Sequence, residues 1–75
     1  NQMPEYKSAQ KQIDALAQEW QKQLEKMKAE LDKLKETYNA EKFLLSEDLK
    51  AQREKEIQEK ERAYRTYQRE KFGYE

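Results

Sequence analysis

The sequence has no cysteine and no histidine among its 75 residues. Disulfide bonds are therefore excluded, and so are thiolate nucleophiles, imidazole bases and zinc sites built from these two residue types. A single glycine and a single proline leave little material for turns. No apolar run approaches the roughly 20 residues that a membrane-spanning helix needs, and the chain carries no recognisable signal peptide. These absences favour a protein made of long helices.

Charged residues dominate what is present. They make up 43% of the chain, against 35% for hydrophobic residues, and 16 basic side chains balance 16 acidic ones. The balance holds within residues 1–42 and again within residues 43–75, with eight charges of each sign in both. A chain without net charge or charge asymmetry has no long-range field that would attract nucleic acid or an anionic membrane.

One apolar stripe organises the first half of the chain. Its members follow one another at spacings of three and four residues, with one extra four-residue step at Trp20, and so lie on one side of an α-helix. Pro4 suits the first turn of that helix, which we expect to span residues 4–41. The stripe consists of Tyr6, Ala9, Ile13, Leu16, Trp20, Leu24, Met27, Leu31, Leu34 and Tyr38.

The pattern changes at Phe43, Leu44 and Leu45, which form the only run of three large apolar residues. Ser46 follows as a candidate N-cap, and Gly73 is a candidate C-terminal cap. The sequence therefore predicts an all-α fold, a long antiparallel two-helix coiled-coil hairpin. Its turn lies near residues 42–45, its helices span about 4–41 and 46–71, and residues 1–75 form a single arm. The alternative is one continuous helix that pairs with another chain.

A fold-back near residue 44 predicts the register of the two helices. Facing residues should have numbers that sum to about 88, and the second helix contributes polar residues to the seam at Arg53 and at Lys60 or Glu61. The predicted pairs are Tyr38 with Leu49, Leu34 with Arg53, Leu31 with Ile57, Leu24 with Tyr64, Trp20 with Tyr67, and Leu16 with Phe72. The predicted hairpin seam is Ile13, Leu16, Trp20, Leu24, Met27, Leu31, Leu34, Tyr38, Leu49, Ile57, Tyr64 and Tyr67.

No residue pattern indicates catalysis. The glutamates of residues 54–61 spread around a helix, whereas acid–base catalysis needs a desolvated group in a cleft. We therefore expect no enzyme activity, and no catalytic, cofactor-binding or metal site. Arg62, Arg65 and Arg69 form a basic stripe beside Tyr64 and Tyr67, but the tyrosines fit the seam, so we expect no nucleic-acid partner. The apolar face is too narrow for direct membrane insertion.

The apolar run at the turn has two interpretations. Phe43, Leu44 and Leu45 could close the end of the seam together with Tyr38 and Leu49. Alternatively, one or two of them point outward and form a small contact for a client or another partner.

Several segments together resemble the OmpH/Skp-like periplasmic chaperone family. The resemblance covers essentially the whole chain and depends on the order and spacing of its segments. The first long helix of the family is similar to Met3-Pro4-Glu5-Tyr6, Leu16, Trp20-Gln21-Lys22 and Tyr38-Asn39-Ala40-Glu41. The tip of the arm is similar to Leu44-Leu45-Ser46-Glu47-Asp48, and the returning helix to the segment that ends in Arg69-Glu70-Lys71-Phe72-Gly73.

The resemblance implies a fold and a function. Members of this family are homotrimers in which a small β-containing body holds three helical hairpins, and the hairpins enclose unfolded outer-membrane proteins in the periplasm without ATP, metal or cofactor. The chain would be one such arm, and the body is absent from it. Some members are strongly basic, whereas this segment is neutral. The rival hypothesis is a structural or scaffolding coiled-coil arm with one fixed protein partner.

Overall fold

A computed structural model describes residues 4–73 of the chain, and the side chains of residues 7–73. Helix α1 spans Pro4–Glu41, a short 3-10 helix spans Lys42–Leu44, and helix α2 spans Glu47–Phe72. The two long helices lie side by side in a rod 68 Å long. The predicted all-α hairpin with its turn near residues 42–45 is confirmed. The alternative prediction, a single continuous helix, is wrong.

The turn is short because the α-helix changes to a 3-10 turn before the chain reverses direction. Beyond Glu41 the helix narrows to one 3-10 turn, and Leu45 then takes an extended conformation, with its N–H bonded to the carbonyl of Lys42 at 3.3 Å. Neither glycine nor proline is needed, since no residue in the turn has a positive φ. The reversal thus uses only backbone conformations that ordinary residues adopt readily.

Both ends of α2 are capped as the sequence predicts. The hydroxyl oxygen of Ser46 accepts a hydrogen bond from the N–H of Leu49 at 3.3 Å. At the other end Gly73 takes the left-handed conformation, φ 72°, and donates its N–H to the carbonyl of Arg69 at 2.9 Å. Acidic residues occupy the first turn and basic residues the last, which matches the helix dipole. These caps define where α2 begins and ends.

The apolar interface between the helices is thin. Among residues 7–73, the buried apolar side chains are Leu24 and Leu31, with 9% and 6% of their surface exposed. Along residues 7–73 the hairpin consists of two helices, so each seam side chain is covered only from the side of the partner helix. Other seam side chains remain half-buried, namely Trp20, Met27, Leu34, Tyr38, Ile57, Tyr64, Tyr67 and Phe72.

The predicted seam is too long. Ile13 and Leu16 are 60% and 45% exposed, and Leu49 is 45% exposed. Helix α2 ends at Phe72, whose ring meets Trp20, so the part of α1 before Trp20 extends past the end of α2. Leu49 lies in the first turn of α2, next to the chain reversal. The side chain of Tyr6, the first member of the stripe, lies outside the described residues.

The side-chain register also differs from the prediction. The side chains in contact across the interface have residue numbers that sum to between 91 and 96 instead of about 88. The contacts are Trp20 with Lys71 and Phe72, Tyr38 with Glu54, Glu41 with Arg53, and Lys35 with Glu61.

The direction in which helical side chains lean explains this shift. Each Cα–Cβ bond tilts toward the N-terminus of its helix. Side chains of α1 therefore lean away from the turn and those of α2 lean toward it, so a residue of α1 meets a later residue of α2 than the backbone register suggests. Tyr38 accordingly contacts Glu54, where we predicted Leu49. Arg53 contacts Glu41, where we predicted Leu34, and Phe72 contacts Trp20, where we predicted Leu16. Trp20 and Tyr67 border one groove.

We expect Leu31→Ala to lower the free energy of unfolding by about 2–3 kcal/mol, because the substitution removes buried methyl groups and leaves a cavity. Leu44→Ala is the matched control. Its side chain is 86% exposed, so the change should stay within about 0.5 kcal/mol. Urea unfolding followed by far-ultraviolet circular dichroism measures both. Equal effects of the two variants would contradict the proposed core.

We expect Ser46→Ala to destabilise the hairpin by about 1 kcal/mol, because the N–H of Leu49 loses its acceptor. Ser46→Asp keeps an acceptor at the same position and should retain the stability of the wild type. The same unfolding measurement checks this pair of variants. An alanine variant as stable as the aspartate variant would show that the cap is not needed.

Candidate functional site

The tip of the hairpin exposes two large apolar side chains. Phe43 is 83% exposed and Leu44 is 86% exposed, the highest exposures among the large hydrophobic residues described. Leu45, next in the chain, is half-buried. Three consecutive residues in a tight turn point in different directions, so only one of them reaches the interface between the helices. Of the two interpretations of this run, closure of the seam fits Leu45, and outward projection fits Phe43 and Leu44.

Charged groups surround these two side chains. The ammonium group of Lys42 lies 5.4 Å from the centre of the Phe43 ring, within the range of a cation–π contact. On the other side of the turn, Glu47 and Asp48 are exposed in the first turn of α2. Glu47 pairs with Lys50 at 3.3 Å. The tip is therefore an apolar point flanked by two carboxylates, Glu47 and Asp48, and by two ammonium groups, Lys42 and Lys50.

Polar contacts replace apolar ones in the middle of the hairpin. Lys35 of α1 forms an ion pair with Glu61 of α2 at 2.7 Å. The hydroxyl of Tyr38 donates a hydrogen bond to Glu54 at 2.5 Å. Glu61 is half-buried and Lys60 is exposed, so Glu61 is the residue that occupies the predicted polar seam position. We call these four residues the polar section of the seam.

Two pKa values respond to this arrangement. The hydrogen bond from Lys35 and its positive charge lower the pKa of Glu61. The hydrogen bond to Glu54 is the main cause that raises the pKa of Tyr38, with smaller contributions from burial and from the negative charges of Glu54 and Glu47. Both shifts favour the protonation states found near neutral pH, the ionised carboxylate and the neutral phenol.

An aromatic cluster ends the paired part of the hairpin. The rings of Trp20 and Phe72 meet edge to face, 6.5 Å apart at an angle of 86°. The ammonium group of Lys71 lies 5.4 Å from the Trp20 ring and 5.9 Å from the Tyr67 ring. We did not predict Lys71 from the sequence, although a lysine one residue before Phe72 and four after Tyr67 places it on the same side of α2.

The described residues set further limits on the chemistry of the site. Neither long helix within residues 4–73 contains a stretch that is long and apolar enough to cross a membrane. In the same part of the chain, acidic side chains do not gather into a group of three that could hold a metal ion.

The grooves along the hairpin are open to solvent; one is bordered by Gln58, Glu61, Arg62 and Arg65. Arg65, one of the three arginines of the predicted basic stripe, forms an ion pair with Glu61 of the same helix at 3.2 Å. Its charge is therefore already partnered within α2.

The lowered pKa of Glu61 predicts a pH dependence of stability. Its carboxylate stabilises the hairpin above the unfolded-state pKa, and this contribution is lost as the pH falls through the folded-state pKa. We expect Lys35→Gln to lower stability at neutral pH and to lose less of it on acidification to about pH 3, well below the unfolded-state pKa, than the wild type does. Lys28→Gln is the control, because Lys28 pairs with Asp32 along one helix and not across the interface. Urea midpoints at the two pH values test this, and parallel losses in both variants would contradict it.

Comparison with known proteins gives one finding. Residues 1–74 match the model of the family described as "Outer membrane protein (OmpH-like)". No curated protein matches the chain. The family match spans nearly the whole sequence and agrees with the segments that carry the resemblance. The chain therefore belongs to the OmpH-like outer membrane protein family.

Proposed function

We propose that this chain is one arm of an ATP-independent holdase chaperone that binds unfolded outer-membrane proteins in the periplasm. Membership of the OmpH-like family supports an outer-membrane protein client. The observation that carries the proposal is the exposure of apolar side chains along a rod that buries only Leu24 and Leu31 among its described residues, most of all at Phe43 and Leu44. We also propose that the full-length protein is a homotrimer, as the family resemblance implies.

The physical demands on a holdase fit such an arm. An unfolded client has no fixed shape, so it must be held over a long surface by contacts that do not depend on direction. Apolar contacts meet this demand because their free energy follows the area removed from water. A charge content of 43% keeps the arm soluble while apolar groups stay exposed.

The charge balance of the arm defines how it would attract clients. With 16 charges of each sign, the arm has no net field that reaches beyond a Debye length. Binding should therefore depend on short-range apolar contacts and on local charges. A purely electrostatic holdase would need a basic surface instead.

The thin seam also supports the proposal, because it allows the arm to bend. In the middle of the hairpin the polar section takes the place of apolar contacts, and exposed ion pairs contribute little stability individually. Little free energy therefore opposes bending there. Such an arm can adjust its spacing to clients of different size. A scaffold arm, the rival hypothesis, would favour an uninterrupted apolar seam and one fixed partner.

We expect the full-length protein to suppress the aggregation of a urea-denatured outer-membrane β-barrel protein when the urea is diluted, with no ATP present. Light scattering measures the aggregation. An unrelated two-helix coiled coil of similar length and charge serves as the control and should leave the aggregation unchanged. Aggregation as fast with the protein as with this control would reject the holdase proposal and favour the scaffold.

A further inference from the structure

Met27 places a sulfur atom in the interface between the two helices. It lies on α1 three residues after Leu24 and four before Leu31, the two buried apolar residues of the described chain, and it is itself half-buried. We propose that Met27 is an oxidation site, at which a two-electron oxidant of the peroxide class forms methionine sulfoxide and thereby loosens the hairpin. The inference goes beyond the proposed function and does not rest on it.

The chemistry of sulfur makes Met27 the most readily oxidised side chain of the interface. The chain has no cysteine, and its other methionine, Met3, lies outside the described residues. A lone pair of the thioether sulfur attacks one oxygen of hydrogen peroxide and the O–O bond breaks. After one proton transfer the products are the sulfoxide and water, so the sulfur loses the two electrons that the peroxide gains.

The architecture of the hairpin leaves Met27 within reach of a small oxidant. Seam side chains are covered only from the side of the partner helix, and Met27 keeps part of its surface exposed where Leu24 and Leu31 do not. Hydrogen peroxide is hardly larger than water, so it reaches a half-buried side chain in the folded state. Oxidation therefore does not need prior unfolding of the hairpin.

Two tyrosines of α2 lie opposite Met27. Residues in contact across the interface have numbers that sum to between 91 and 96, a relation that Met27 meets with Tyr64 and with Tyr67. Tyr64 borders one groove with Leu31, and Tyr67 borders another with Trp20, which brackets Met27 between the two rings. A thioether makes favourable contacts with aromatic rings, and these contacts suit sulfur in its reduced form.

Oxidation reverses the preference of this side chain for the interface. The sulfoxide is polar, and covering its oxygen without a hydrogen-bond donor costs free energy. Separation of the helices lets water reach that oxygen, so the sulfoxide favours the open state. Leu24 and Leu31 are the buried pair on either side of Met27, and few other apolar contacts oppose the change. We expect the equilibrium constant for unfolding to rise about ten-fold.

The experiment compares two variants that each keep one methionine. Met3→Leu retains Met27, and Met27→Leu retains Met3 while filling a similar volume in the interface. Each protein is treated with hydrogen peroxide until intact-mass spectrometry shows the addition of a single oxygen. Urea unfolding is then followed by far-ultraviolet circular dichroism, before and after treatment. Oxidised Met3→Leu should unfold at lower urea, and oxidised Met27→Leu should unfold at the same urea as before treatment.

Enzymatic reduction identifies the modified group. Methionine sulfoxide reductases A and B together reduce both epimers of the sulfoxide, so they should restore the urea midpoint of oxidised Met3→Leu. A midpoint that stays low after reduction would assign the loss to another side chain, such as Trp20, and would overturn the inference.

Three further results would also overturn it. Met3→Leu that takes up no oxygen while folded would show that Met27 is shielded. An unchanged midpoint in oxidised Met3→Leu would show that a donor such as Tyr64 satisfies the sulfoxide oxygen within the closed hairpin. An equal loss of stability in oxidised Met27→Leu would show that the oxidation-sensitive group lies outside the interface.

Discussion

The structure depends on a single interface between two helices. Each helix can bury one stripe and no more, because a hairpin of two helices has no third element to cover another face. The consequence is visible in the burial of the described side chains, where only Leu24 and Leu31 are buried among the apolar residues and the other paired seam residues stay half-buried. Small single-interface folds are marginally stable, so the helix caps matter more here than in a globular domain.

The polar section of the seam follows from this constraint. Lys35 and Glu61 occupy positions where an apolar pair would add stability, and the ion pair that replaces it adds little when solvent reaches it. What the pair and the Tyr38–Glu54 hydrogen bond do supply is a register, since they join particular residues of α1 and α2. A stronger apolar seam in this section would make the hairpin stiffer, because it would bury more apolar area between the helices.

The sequence predicted the features that depend on local chemistry. Ser46 and Gly73 cap α2 because a hydroxyl acceptor and a residue tolerant of positive φ act within one helical turn. The side-chain register was not predictable from the turn position alone, because it depends on the direction in which side chains lean. Nor could the sequence reveal that α2 stops opposite Trp20, since the stripe of α1 continues unbroken through Leu16 and Ile13. The outward orientation of Phe43 and Leu44 depends on how the turn is wound.

The turn depends on local hydrogen bonds and the shaft on packing between the helices. This difference explains why apolar side chains are exposed at the tip. Between Trp20 and Tyr38, where α1 pairs with α2, the apolar side chains at seam positions are buried or half-buried in the interface. At the tip the helices part, and the fold there is held by the cap at Ser46 and by the half-buried Leu45. Phe43 and Leu44 lie outside the interface between the helices, so their exposure follows from the shape of the turn and not from a gap in that interface.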